Sequence, residues 1–526
     1  MVFPLLVFWQ NERVSRAHRR AVRAADYYER GLARLEDRWM GMGQPGTRFL
    51  DEDHPCALDL DLFGKGSLFE RLCTARTSRG EDTLAAWLRA PAPPDDVRAR
   101  QEAVEELRQR LDLREALALL ADGVPAGANL DALVAWGSAA PLRAPRWARP
   151  AALFLPALTV LALIGWLVLD QSGLPFVVLL MLELVFALWL HARVHQVIAP
   201  VERRARDLGL LAGILARLER EDFKSAQLGR LRLALDSAGL PPSRRIAQLA
   251  SLIDWLNARR NQFFAPVALF MLWSTQLAFA IERWRAQAGV AICRWLEVVG
   301  EFEALASLAA YAYENPEDPF AEIVPGKALH PLIPRDRCVR NDLRLDDGLQ
   351  LFVVSGSNMS GKSTLLRTVG INAVLALAGA PERAQQLRLS PLMVGATLRI
   401  QDSLQAGRSR FYAEITRVRQ LVDLARGEPP LLFLLDELLQ GTNSHDRRIG
   451  AEAIVRGLVN HGAIGLITTH DLALTEIADL LAPRAQNVHF EDQFADGTMT
   501  FDYRMHNGVV KNSNALALMR AVGIEV

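Results

Sequence analysis

The stretch AALFLPALTVLALIGWLVLDQSGLPFVVLLMLELVFALWL, Ala151 to Leu190, constrains the fold of this chain more than any other. Its first part, Ala151 to Leu169, carries no charge and as a helix would extend roughly 28 Å, against a bilayer core about 30 Å thick. The second part, Leu174 to Leu190, contains Glu183. That carboxylate costs about 2.5 to 3.5 kcal/mol at a helix centre, while the surrounding Leu, Val and Phe side chains return about 4 to 7 kcal/mol, so insertion is favoured. The connector DQSG, Asp170 to Gly173, suits a helical hairpin with both ends on one side. Arg143, Arg146 and Arg149 before the hairpin and Arg193, Arg203 and Arg204 after it place that side in the cytoplasm. Trp147 and Trp189 fall at the cytoplasmic interface and Trp166 at the far one. The competing reading is a pair of buried helices in a large α-domain.

At 526 residues the chain exceeds a single core and is expected to form several domains. Formal charge is zero, which excludes a global basic field for nucleic acid and leaves only local patches, such as RVSRAHRRAVR, Arg13 to Arg23. That helix reads as a contact for DNA phosphates or, against it, as a solvated face or a patch facing anionic lipid. Cys56, Cys73, Cys293 and Cys338 form no C-x-x-C pair, so neither zinc nor a disulfide framework is expected, and a reducing compartment fits. The N-terminal MVFPLLVFWQNERVSRAHRR places its charges after a short apolar run and reads as the start of a helix, not an export signal. Residues 10–140 have helical spacing throughout, and after ENPEDPF, Glu314 to Phe320, short apolar runs alternate with helices as in an α/β domain.

Within that region GSNMSGKS, Gly356 to Ser363, fits G-x-x-x-x-G-K-[ST] between an apolar strand and a helical run. Gly356 and Gly361 let backbone N–H groups approach phosphate, with Ser357, Asn358, Met359, Ser360 and Thr364 completing the loop and its exit. Lys362 is expected on the β- and γ-phosphates of ATP, and Ser363 on Mg²⁺. Lys362 is one of only five lysines in a chain with 55 arginines. The strand PPLLFLLDE then offers Asp436 to Mg²⁺ and Glu437 as the base for an attacking water, and GAIGLITTHD delivers His470 to the same sheet edge. Because ATP sits in the cytoplasm, an even number of spans is required. The third apolar run, Phe263 to Ile281, is therefore expected to be one buried core helix.

Four ordered segments, SGSNMSGKSTLLRTVG, DSLQAGRSRFYAEITRVRQL, LLDELLQGTNSHDRRIGAEAI and TTHDLAL, resemble the ATPase motifs of the MutS mismatch-repair family. SLFERLCTARTSRGEDTLAAWLRAPAPPDDVRARQEAVEEL is similar to that family's core and lever region, EFEALASLAAYA to its last lever helix, HPLIP to the start of the ATPase, and YRMHNGVVKNSNALALMRAVGI to its closing segment. The resemblance implies a mixed fold: an all-α lever and core domain carrying a transmembrane hairpin, then an α/β P-loop ATPase domain of ABC-like type. The corresponding ranges are 1–48 for an N-terminal helical segment, 49–149 and 191–324 for the core and lever, 150–190 for the hairpin and 325–526 for the ATPase. It also implies a homodimer with composite sites, in which Gly407, Arg408 and Ser409 approach the partner's nucleotide.

The departures from the family are equally informative. No mismatch-reading domain is expected before the lever region, the one Phe-x-Glu is Phe320-Ala321-Glu322, and no endonuclease tail is expected after Val526. The expected activity is Mg-dependent ATP hydrolysis driving a dimeric clamp on duplex DNA at the inner (cytoplasmic) membrane, with the ATPase in the cytoplasm. Contact through phosphates alone would be salt-sensitive and nearly blind to mismatches. A transporter-type ATPase subunit or a membrane scaffold without a DNA role is the alternative.

Overall fold

The structure is a computed structural model and describes residues 2–120, 131–140, 145, 147–202, 205–235, 239–323, 339, 341–357, 360–398, 410–495 and 498–510. Its contacts divide into two units: residues 1–27, 75–82 and 112–303 in one, and residues 28–74, 83–111 and 304–526 in the other.

The first unit is helical. Helices α1 (Ala148–Val168) and α2 (Leu174–Glu202) are both long and apolar enough to cross a membrane. They form an antiparallel pair over the turn at Asp170, where the backbone is left-handed. A narrow inner seam of Ala148, Ala152, Phe186, Leu190, Val194 and Ile198 is buried. The outer faces are not: Leu161 is 64% exposed and Val168 73%. Glu183 lies in the seam, where the Thr159 hydroxyl meets its carboxylate. At one end of the pair Trp147 stacks on Trp189 with centroids 5.4 Å apart, and the Arg193 guanidinium lies over the Trp189 ring. Arg143, Arg146, Arg203 and Arg204 lie outside the described residues.

The third apolar run departs from expectation. It is two helices, α3 (Ala265–Phe270) and α4 (Trp273–Ala288), broken at Leu272, whose φ of 48° is left-handed. Pro266 opens α3, whose Leu269 is 74% exposed, and Phe263 just before it is 93% exposed; in α4, Leu277, Ala278 and Ile281 are buried. Gln276 caps the break by donating to the Met271 carbonyl at 2.8 Å. Neither helix alone has the length of a span.

In the second unit a six-stranded sheet is built from β1 (Leu351–Ser355), β2 (Met393–Thr397), β3 (Leu431–Asp436), β4 (Ile464–Thr469), β5 (Ala485–Ala495) and β6 (Thr498–Asn507). The spatial order is β2-β3-β4-β1-β5-β6, all neighbours parallel except the β5–β6 ribbon. Strands β1, β3 and β4 are buried along nearly their whole length and apolar up to polar carboxyl ends, because helices cover both faces of a parallel sheet. Helices α5 (Lys362–Ala378), α6 (Arg410–Leu424) and α7 (Ser444–Asn460) provide that cover.

Helical spacing also misled over residues 36–67, which contain a single short 3-10 turn, Thr47–Phe49. Here the Glu70 carboxylate gathers the loop by accepting from the backbone N–H of Gly41 at 2.8 Å and Gly66 at 2.6 Å. Phe49, Phe63 and Phe69 close around each other at 5.4 to 5.6 Å between centroids. The segment is fastened to the edge strand: the Ala396 N–H donates to the Pro55 carbonyl at 2.8 Å, and the Leu398 N–H to Asp59 Oδ1 at 2.7 Å.

Candidate functional site

The glycine-rich loop 356–361 leaves the C-terminal end of β1, in the interior of the sheet, and runs into α5. Gly356 has φ 150° and Gly361 φ 103°, both in the region that side chains avoid. A Cβ on Gly356 would lie 2.9 Å from Ser360 Oγ and 3.1 Å from the Phe490 carbonyl, so the loop is closed up against β5. Gly361 is the N-cap of α5 and supplies no side-chain cap, leaving the first N–H groups of that helix without one. Ser357 Oγ and Ser360 Oγ are buried without a hydrogen-bond partner. A loop of orphaned hydroxyls and helix N–H groups is a set of donors without acceptors, which is the complement of a phosphate. Asn358 and Met359 lie outside the described residues.

Lys362 is 5% exposed and turns back on the loop, donating to the carbonyls of Gly356 at 2.7 Å and Ser357 at 2.8 Å. Glu437 Oε1 stands 3.8 Å from its ammonium. Burial lowers the Lys362 pKa below the usual lysine range, while the charges of Glu437 and Asp436 oppose that shift. Ser363 and Thr364, one turn into α5, are exposed.

Asp436 and Glu437 arrive at the end of β3, next to β4. The Thr468 hydroxyl donates to Asp436 Oδ1, and the Glu437 N–H points at Thr468, 3.2 Å from its carbonyl and 3.1 Å from its hydroxyl. Immediately beyond the strand the backbone is left-handed at Glu437 (φ 51°) and again at Leu439 (φ 60°). Non-glycine residues seldom adopt that conformation, and a costly turn directly after a strand re-aims the side chain it carries. Glu437 is thereby directed to His470, whose Nδ1 lies 3.2 Å from Glu437 Oε1.

Lys362, Asp436, Glu437 and His470 therefore converge at the carboxyl edge of β1, β3 and β4, where ligands bind in parallel sheets. Ser409, with Gly407 and Arg408, lies outside the described residues. Three contributors were missed from the sequence. Thr468 sits inside the run that delivered His470; Glu414 lies on α6, in the segment DSLQAGRSRFYAEITRVRQL; Tyr503 on β6 opens the closing segment YRMHNGVVKNSNALALMRAVGI, where nothing singled it out. The Tyr503 ring borders the glycine-rich loop, 3.2 Å from where a Gly361 Cβ would stand, and Asn341 holds its backbone by accepting from the Met505 N–H and donating to the Tyr503 carbonyl.

Residues 352–525 match the family model of MutS domain V. The relatives agree. Over 189 residues the chain is 38% identical to the DNA mismatch repair protein MutS of Exiguobacterium sp., covering 34% of this chain and 22% of that protein. It is 34% identical over 272 residues to the DNA mismatch repair protein MutS 2 of Halobacterium salinarum, covering 49% and 29%. Against Endonuclease MutS2 of Thermotoga neapolitana it is 29% identical, covering 44% and 30%. Over the matched residues the chain is similar to MutS and MutS2 proteins. The matches span less than a third of the length of each of these relatives.

Proposed function

We propose that the chain is a membrane-anchored, MutS-like ATPase, in which nucleotide binding and hydrolysis drive a homodimeric clamp on duplex DNA. The observation that carries the reading is the meeting of Lys362, Asp436, Glu437 and His470 beside a loop whose buried hydroxyls lack acceptors. The domain V match and the mismatch-repair relatives support the DNA link. Exposed apolar faces on α1 and α2 support a membrane hairpin; in this proposal it lies in the inner (cytoplasmic) membrane with the ATPase on the cytoplasmic side, where ATP is.

Each residue then has a task. Gly356, Ser357, Asn358, Met359, Ser360, Gly361 and Thr364 form the phosphate cradle. Lys362 exchanges its two loop carbonyls for phosphate oxygens, which leaves Glu437 without its cation. Glu437, freed, orients a water and accepts its proton, and His470 holds the carboxylate in line. Ser363 and Asp436 would hold Mg²⁺, which neutralises charge on the phosphates. Tyr503 offers an aromatic face beside the loop, and Ser409 acts on the nucleotide of the other subunit.

The test is ATP turnover by the detergent-solubilised protein. Lys362→Ala is expected to abolish nucleotide binding, whereas Glu437→Gln retains ATP but loses about 10²- to 10⁴-fold in hydrolysis. Undiminished turnover in both variants would falsify the reading. Competition binding to matched and mismatched duplexes separates the clamp from a scaffold without a DNA role. A clamp gripping phosphates binds both duplexes within tenfold and weakens steeply with salt.

A further inference from the structure

Arg447, on the first turn of α7, touches none of the four converging residues, yet it is tied to both loops that present them. Its Nε donates to the Leu439 carbonyl at 3.2 Å, two residues past Glu437. Its Nη2 reaches the Gln440 and Thr442 carbonyls, each at 3.4 Å. On its other side Nη1 stands 3.9 Å from Asp471 Oδ2, one residue past His470. Asp471 is fixed in turn, its N–H donating to Thr469 Oγ1 at 2.9 Å and its Oδ1 accepting from the Ala473 N–H at 3.1 Å.

From the inner side the same turn is held by Glu414, 2% exposed on α6, whose carboxylate accepts the Leu439 N–H. Leu439 is thus gripped at both backbone polar groups, its N–H by an acid and its carbonyl by a guanidinium. These are the groups of a residue in the left-handed conformation, which costs on the order of 1 kcal/mol or more and persists only where surrounding contacts over-determine it. A planar fork with several donors satisfies several carbonyls at once, which a lysine ammonium on a flexible stem does less well.

We propose that Arg447 is a positioning residue that holds the strained turn after β3 closed, and so sets Glu437 against His470. The inference rests on the reading of Glu437 as the base for hydrolysis. A misplacement of about 1 Å at a reacting group costs on the order of 10²-fold in rate, so the effect belongs on kcat.

The experiment measures kcat, ATP affinity and thermal stability for the full chain and for Arg447→Ala, Arg447→Lys, Glu437→Gln and the Arg447→Ala/Glu437→Gln pair. Expected are a kcat roughly 10- to 100-fold lower in Arg447→Ala, partial recovery in Arg447→Lys and ATP affinity within about threefold of the parent. In the Glu437→Gln background, removing Arg447 should cost nothing further in rate, because its effect passes through Glu437. Unchanged kcat in Arg447→Ala, or an equal additional loss in the double variant, overturns the proposal. A general folding role would lower stability and affinity together and leave Arg447→Lys no better than Arg447→Ala, which also overturns it. Should the parent and Glu437→Gln hydrolyse ATP equally, it is the underlying reading of Glu437 that has failed.

Discussion

The strands of the sheet and the helices of the hairpin are written in nearly the same residues, and the structure treats them oppositely. Leu431 to Leu435 in β3 are all at most 2% exposed, enclosed by α5, α6, α7 and neighbouring strands. In α1, Leu158, Leu161, Ile164 and Leu167 are 46 to 68% exposed, though that helix is equally apolar. Exposed apolar surface on this scale is unfavourable in water by roughly 25 cal/mol per Å². The comparison teaches that an apolar run fixes only what a segment avoids. Whether protein or lipid covers it depends on whether the rest of the chain supplies a matching face.

The comparison breaks most readily at the hairpin. Leu161→Arg combined with Leu182→Arg, both on exposed positions, is expected to oppose insertion by about 5 to 7 kcal/mol and move the protein out of the membrane fraction. Fractionation with and without detergent is the measurement. Retention in the membrane pellet with unchanged detergent dependence would mean these faces do not meet lipid.

A milder pair sharpens it. Leu434→Ala in β3 should cost about 2 to 5 kcal/mol of unfolding free energy, whereas Leu161→Ala in α1 should cost less than about 1 kcal/mol in water-facing terms. Chemical denaturation of the detergent-solubilised chain compares the two. Equal losses would show that α1 is buried against protein.

The third prediction concerns a buried acid of the helical unit, where burial by protein alone sets the chemistry. Glu303 accepts from the Thr77 hydroxyl at 2.5 Å and from the Arg76 and Thr77 N–H groups at 3.1 and 3.2 Å, yet burial raises its pKa to about 7. A carboxyl whose folded pKa lies above its unfolded value makes the folded state bind the extra proton. Stability is therefore greatest below the ordinary value of 4.5 and is lost as pH rises through about 7, by on the order of 2 to 4 kcal/mol. Unfolding curves between pH 4.5 and 8 should show this slope, and Glu303→Gln should flatten it. A parent protein whose stability rises over that window would contradict the assignment.

Much of the candidate site was legible because its chemistry is local in sequence. A glycine pair five residues apart, a lysine and a serine specify the loop, and an apolar strand ending in Asp436-Glu437 specifies its partner. Thr468 and Glu414 were not legible because their partners lie 25 or more residues away, and Arg447 was not because nothing in a single sequence marks which nearby carbonyls a side chain will find. Periodicity failed for a different reason over residues 36–67. Apolar spacing there mimics a helix, but Gly41, Gly43, Gly46, Gly64 and Gly66 favour turns that Glu70 then gathers.

The third apolar run shows the limit of composition itself. Composition suggests one helix, but the run breaks at Leu272, with α4 burying Leu277, Ala278 and Ile281 while α3 leaves Val267 and Leu269 exposed. Elements whose physics is carried by neighbours in the chain could be read from the sequence: the glycine-rich loop after β1, the apolar strands and the two long apolar helices. Only the tertiary structure decided which carboxylate meets which cation, that Glu183 would find Thr159, and that residues 55–59 would fasten to the edge of the sheet. Those pairings join residues distant in sequence, and their energy exists only once the fold has brought them within a few ångströms.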